Sequence, residues 1–230
     1  MKILRNIGIG FVLTGALFLL GGCNLANLKL QENADYSPSV LDNHINMTAW
    51  QYIKTRSYNY TGKDTIFKLM RQAIEYSGID TNEFIKDNRT FMLLHNDAIL
   101  RTTVVNKVAT PTTDCYFGKY LVNGKPATKW SDYPQIQVKN YLLSLIVQGA
   151  YSYNNLGPSN IVVNTLEPLN YDPLNPTSVM MIHVTDDSNY NIRLNDFSGS
   201  VAYVTVRTSN ILATNGYIQV IDRVLFYQSL

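Results

Sequence analysis

Histidine, cysteine and acidic side chains carry most of the reactive chemistry open to this sequence, so their spacing comes first. His95 stands beside Asn96-Asp97, residue types that a general acid/base pair uses. The commoner role of an aspartate just after a strand is to satisfy open backbone N–H groups, and Asp97 is read as a cap or buried hydrogen-bonder. His183 precedes Asp186-Asp187, and on a strand His183 and Asp187 would share a face. A solvated turn accounts for them more simply than a metal site. Asp222 sits in an otherwise apolar run and, if buried, needs backbone or arginine partners. There is no Gly-x-Ser-x-Gly elbow, no glycine-rich phosphate loop, no His-Glu-x-x-His and no Cys-x-x-Cys. No catalytic residue, metal or cofactor is expected, and the chain reads as a non-enzyme.

The aromatic residues offer binding rather than reaction. The sequence holds 16 Tyr and 2 Trp. Tyr116, Tyr120, Trp130 and Tyr133 fall close together, and Tyr151 and Tyr153 follow Gly149. Such rings give large rigid area with a polar tip, suited to stacking on sugars or to protein contact. The alternative is that they fill a satellite core under long loops. These six are the candidate binding residues.

The start of the chain decides where such a surface would be displayed. Lys2 and Arg5 precede an uncharged apolar run, Ile7 to Leu20, that ends in Leu20-Gly21-Gly22-Cys23. This is the pattern of a cleaved signal peptide. The run spans about 14 residues, short of the roughly 20 a spanning helix needs. Its ending looks like a bacterial lipobox, in which the cysteine is acylated and becomes the new N-terminus. The expectation is a leader over 1–22, a lipid anchor on Cys23, a polar tether over 23–42 and a domain over 43–230. Acyl chains hold by about 0.8 kcal/mol per buried CH₂, so the protein is tethered to a membrane rather than spanning it. Asn24 is not an acid, which favours the outer membrane; surface and periplasmic faces stay open. Cys115 is then left without a disulfide partner and reads as a small packed or loop residue. There are 19 Lys plus Arg against 17 Asp plus Glu, and loss of Lys2 and Arg5 makes the counts equal. With no basic run, nucleic acid is not an expected partner.

The elements that must position these residues read as helices first and strands later, hence α+β. A helix begins near Asn46, capped there or at Thr48, with Met47, Trp50 and Ile53 in phase, and ends by Tyr58–Gly62. A second is capped by Asp64 or Thr65, carries the stripe Ile66, Met70, Ala73, Ile74 and Ser77, and stops at Gly78. A helical turn follows at Glu83-Phe84-Ile85, then a buried strand over Phe91–Leu94. Residues 102–134 lack a clean period and read as an insertion with a hairpin at Tyr120–Lys125. Ile136, Tyr141, Leu142 and Leu145 predict an amphipathic helix. Strands are predicted over 161–166, 179–185, 190–194, 201–207 and 217–226, with Asp186–Asn189 as a turn. Asn215-Gly216 reads as a tight turn using positive φ.

Two segments resemble the fasciclin (FAS1) domain. Arg89-Thr-Phe-Met-Leu-Leu-His-Asn-Asp-Ala-Ile99 is similar to the family's first segment, keeping Asn96, Asp97 and Ala98. Ala213-Thr-Asn-Gly-Tyr-Ile-Gln-Val-Ile-Asp-Arg-Val-Leu225 is similar to its second, with Asn215, Gly216 and Asp222 in place. The resemblance covers about residues 45–228. It implies N-terminal helices packed on a wedge of largely antiparallel sheet, and a non-catalytic adhesion module binding a protein or a glycan. Leu145-Ile146 stands where relatives carry Tyr-His, and Asn210-Ile211 replaces an Asp-Ile motif, so integrin binding does not carry over. Tethered single domains of this Asn/Tyr-rich kind look like Bacteroidota lipoproteins. Some of those accompany TonB-dependent nutrient importers, the alternative reading of this chain.

Overall fold

The computed structural model describes residues 43–58, 64–200 and 202–227. The expected leader, Cys23, the tether to residue 42, most of the Tyr58–Gly62 helix stop, and Val201 lie outside them. Among the described residues no helix is long and apolar enough to cross a membrane.

Helix α1 (Ala49–Thr55) starts where the sequence predicts, with Thr48 and Gln51 closing a capping box. Helix α2 (Lys68–Ser77) buries Met70, Ala73, Ile74 and Ser77 and ends at Gly78 with φ 64°. Its start differs from expectation. Neither Asp64 nor Thr65 caps it; Asp64 instead pairs with Arg56 Nε at 2.6 Å. The α2 N–H of Leu69 donates to Asn96 Oδ1 at 3.0 Å, and Asn96 Nδ2 donates to Thr65 O at 2.7 Å. The cap thus arrives from a residue distant in sequence, which a local pattern cannot show. A 3₁₀ turn over Thr81–Phe84 leads into strand β1 (Arg89–Leu94), buried from Thr90 onward. The short helix α3 (Asn96–Ile99) follows directly.

Residues 102–134 divide into two parts of different character. Strands β2 (Thr102–Val105) and β3 (Val108–Pro111) form an exposed hairpin turning at Asn106-Lys107, both at positive φ. The expected hairpin at Tyr120–Lys125 shrinks to one bridge, Val122 with Lys125. From Cys115 onward the chain returns to the core through α4 (Tyr116–Lys119) and a 3₁₀ turn over Trp130–Asp132. Cys115 is a free, fully buried thiol. Helix α5 (Gln135–Ser144) is present, but its inner face is Val138, Asn140, Tyr141 and Leu142. Ile136, expected inside, is 56% exposed, since the buried face of α5 begins only at Val138.

The strands form two four-stranded sheets. The first has the order β4 (Ile146–Gln148), β1, β10 (Gly216–Ile221), β9 (Thr208–Ala213). The second runs β5 (Ile161–Asn164), β6 (Val179–Val184), β7 (Ile192–Leu194), β8 (Val204–Thr205). All pairings are antiparallel except β1 with β10, which run parallel from Arg89 opposite Gly216 to Leu94 opposite Ile221. The fold is α+β. Val147 bridges Thr165 at one junction of the sheets. At the other, the Val206 N–H donates to Ile192 O and the Arg207 N–H to Val220 O.

The C-terminal hairpin departs from expectation in two ways. Its turn is Thr214-Asn215, because Gly216 already pairs with Ala213. Of the Asn215-Gly216 pair only Gly216 takes positive φ (149°), and a Cβ there would lie 2.0 Å from Arg89 O. Strand β10 ends at Ile221, short of the expected Phe226, because the chain turns away at Asp222-Arg223. Strand β8 holds two residues, and Tyr203 before it is 48% exposed.

Candidate functional site

The aromatic residues gather around Tyr116. Its ring lies 4.6 Å from Tyr141, 4.7 Å from Tyr120, 5.0 Å from Trp130 and 5.1 Å from Tyr133, centroid to centroid. Helix α4 supplies Tyr116, the turn after it Tyr120, the 3₁₀ turn Trp130, and α5 Tyr141. Polar tips on the inner side are used within the fold. The Trp130 indole donates to Leu69 O at 2.9 Å, and the Tyr133 hydroxyl donates to Tyr120 O at 2.7 Å. Both residues are buried, at 5% and 4% exposure. Burial, joined by neighbouring phenols, pushes the Tyr116 hydroxyl above its ordinary range.

The other side of this cluster opens into a cavity of about 440 Å³. Tyr116, Tyr120 and Tyr141 form one wall. Tyr171, from the loop between β5 and β6, and Phe226-Tyr227, from the C-terminal segment, also line it. Asn195 steadies that segment by donating to Phe226 O at 3.0 Å. The same loop brings Glu167 and Asp172 to the cleft. Asp172 Oδ1 accepts from the Leu174 N–H at 2.9 Å, which fixes the loop's turn. Burial first, then the neighbouring Asp172, pushes the Glu167 carboxyl up to about 7. Burial, then Asp172 and Glu167, raises the Tyr120 phenol. Lys119 also lines the cleft, with its ammonium 4.0 Å from the centre of the Phe226 ring.

The six aromatic candidates therefore separate. Tyr116 and Tyr120 line the cavity; Trp130 and Tyr133 pack behind it. Tyr151 and Tyr153 lie elsewhere: the Tyr151 N–H donates to Thr90 Oγ1, and the Tyr153 hydroxyl bonds Ser209 Oγ at 2.8 Å. Sequence reading missed Glu167, Tyr171, Asp172 and Tyr227. The only sequence signal near them is Glu167-Pro168 followed by Tyr171-Asp172-Pro173, a loop with no period.

The acid/base candidates belong to structural networks. His95 Nδ1 accepts the Asp97 N–H at 3.2 Å, so the histidine caps α3. Asp97 is neither cap nor buried: its side chain is 43% exposed and meets Arg207 at 3.2 Å. Asp222 has the arginine partners its surroundings demand, Arg101 at 3.4 Å and Arg207 at 3.6 Å. Burial, reinforced by Arg207 and Arg101 against the pull of Asp97, holds the His95 imidazole below its ordinary range. His183 pairs with Asp196 at 3.3 Å, not with Asp187, which accepts Thr185 Oγ1 and the Asn189 N–H in a turn. Among the described residues no group of three or more His, Cys, Asp or Glu could hold a metal ion.

Asn96 and Asn215 do matching work. Asn215 Oδ1 accepts the Ala49 N–H at the start of α1 (3.0 Å), and its Nδ2 donates to Phe84 O (3.1 Å) and Lys86 O (3.2 Å). Each asparagine thus ties one helix N-terminus to the paired strands. Gln219, 1% exposed, accepts the Asn210 N–H at 2.9 Å across the β9–β10 irregularity.

No family model matches the chain. No curated protein matches it either. Among solved structures it is similar to a FAS1 domain pair from the insect cell adhesion molecule fasciclin I, with a TM-score of 0.39 and 13% identity. That likeness covers 77% of this chain and 45% of the other, so the chain spans less than half of that structure. The α+β class rests on the element order and strand pairing themselves.

Proposed function

We propose that the chain is a non-catalytic interaction module of the cell envelope, tethered by a lipid on Cys23, that binds a protein or glycan partner through the aromatic cleft. The cleft carries this reading: about 440 Å³ walled by tyrosine rings, a size and lining suited to one group of a partner. The in-register pairing of the two FAS1-like segments as β1 and β10 supports the module's kind. His95 caps α3 and His183 meets Pro158 O and Asp196, so the two histidines nearest acidic residues in sequence have structural partners.

The reading is tested by expressing the full chain in a Gram-negative host. Radiolabelled palmitate is expected to enter the wild-type protein and not Cys23→Ser. A glycan array and whole-cell pull-down with the detergent-solubilised protein are expected to give a partner whose capture is lost with Tyr171→Ala. Blank results in both binding assays would overturn it. The aromatic lining of the cleft also favours the second reading, an accessory substrate-binding lipoprotein of an outer-membrane importer. Co-purification with an outer-membrane receptor separates the two.

A further inference from the structure

We infer that the cleft takes an amine-bearing sugar, its ring against the tyrosine faces and its ammonium between Glu167 and Asp172. The inference rests on the glycan form of the reading above and specifies its ligand.

The first argument is charge. Glu167 is half-buried beside Asp172, and no described side chain hydrogen-bonds its carboxyl or pairs with it. Lys119, the one cation lining the cleft among the described residues, sits over the Phe226 ring and forms no ion pair with either acid within 4.0 Å. The cleft is otherwise ringed by the phenols of Tyr116, Tyr120, Tyr141, Tyr171 and Tyr227. Two carboxyls thus face one cavity with no ion-pair partner among the described residues. Burying such a pair is unfavourable unless one carboxyl holds a proton or a cation joins it. A ligand ammonium supplies that cation, and an anionic ligand would meet both acids.

The second argument is shape and hydrogen bonding. Tyrosine faces attract both the C–H surface of a pyranose and an adjacent cation. The side-chain amides in the cleft are mostly spent: Asn175 bonds Val179, and Asn195 bonds Met181 and Phe226. The hydroxyls of Tyr120, Tyr171 and Tyr227 are not: none hydrogen-bonds another described residue. Three phenolic hydroxyls around an acidic pair fit a ligand that is both polyhydroxylated and positively charged. A lysine side chain would leave the hydroxyls unused, and a neutral sugar would leave the acids uncompensated.

Isothermal titration calorimetry on the detergent-solubilised full chain tests this with three probes: a glucosamine tetramer, the N-acetylglucosamine tetramer and tri-lysine. The glucosamine tetramer is expected to bind about ten-fold or more tighter than its acetylated counterpart, the size of one charge-assisted contact. Glu167→Gln is expected to erase that preference, and Asp172→Asn to reduce it, with cooperative thermal melts showing that both variants fold. Equal binding of the two tetramers, or a preference that survives Glu167→Gln, overturns the inference and leaves a glycan-binding module standing. Tighter binding of tri-lysine overturns it in favour of a protein partner. Binding of none of the probes overturns it, and a partner found by array or pull-down would still uphold the broader reading.

Discussion

The β1–β10 spine and the aromatic cleft are built on opposite rules. In the spine, the polar groups of the motif residues are spent inside the molecule. Asn96 and Asn215 each satisfy a helix N–H and a backbone carbonyl, and Gly216 lets two parallel strands approach. In the cleft, Glu167 and three phenols are left without partners among the described residues. Residues that fix a fold leave nothing for a ligand, and residues that bind one must be left unfinished. The FAS1-like segments hold β1 and β10 and reach the cleft only at Leu225, so the resemblance speaks to architecture, while the cleft's acids and Tyr171 come from a loop outside both segments.

Four substitutions or conditions would break or sharpen this contrast. The largest effect is expected for Gly216→Val, which drives a Cβ into Arg89 O. A loss of about 3 kcal/mol or more, read by denaturant unfolding, is expected, and an unchanged midpoint would deny the close approach. Asn215→Ala leaves the Ala49 N–H and two carbonyls unpaired in a site 4% exposed. It should cost about 2–3 kcal/mol without altering the affinity of any ligand bound in the cleft.

The third expectation follows from Glu167, whose carboxyl is raised from 4.5 to about 7 in the folded chain. Between those values the folded protein holds a proton that the unfolded chain has released. The associated stability is fully present below about pH 4.5 and is lost as pH rises through about 7. Solvent screening of this half-exposed group holds the effect to about 1–2 kcal/mol. Melts of wild type and Glu167→Gln across this range should diverge in that direction; parallel curves would show that the carboxyl is not perturbed. The smallest stability effect is expected for Tyr171→Ala, at 39% exposure: within about 0.5 kcal/mol. A large destabilisation there would move the residue from the cleft to the scaffold.

Local chemistry made part of this legible. The α2 stripe, its Gly78 stop, the Thr48 cap and the buried β1 strand follow from spacing alone. The helix cap supplied by Asn96 does not, because donor and acceptor are far apart in sequence. Nor does the parallel pairing of β1 with β10, since periodicity shows which face is buried and not which strand lies alongside. The Asn-Gly pair announced a turn, but the turn sits one residue earlier and the asparagine acts through its side chain. The aromatic cluster was visible as composition. Which of its members face solvent depends on Glu167 and Tyr171, which come from a loop with no pattern to read.

The Asn215-Gly216 junction also bears on how the molecule ages. Asparagine followed by glycine is the sequence most prone to lose its side-chain amide, through attack by the next backbone nitrogen. In the folded chain Asn215 is buried and its amide is engaged on both sides. Unfolding releases it to react. The aspartate or isoaspartate formed would set a carboxylate against the Phe84 and Lys86 carbonyls where an NH₂ donor had been. Refolding would then set that charge against the spine itself, so damage at this junction accumulates only as often as the hairpin opens.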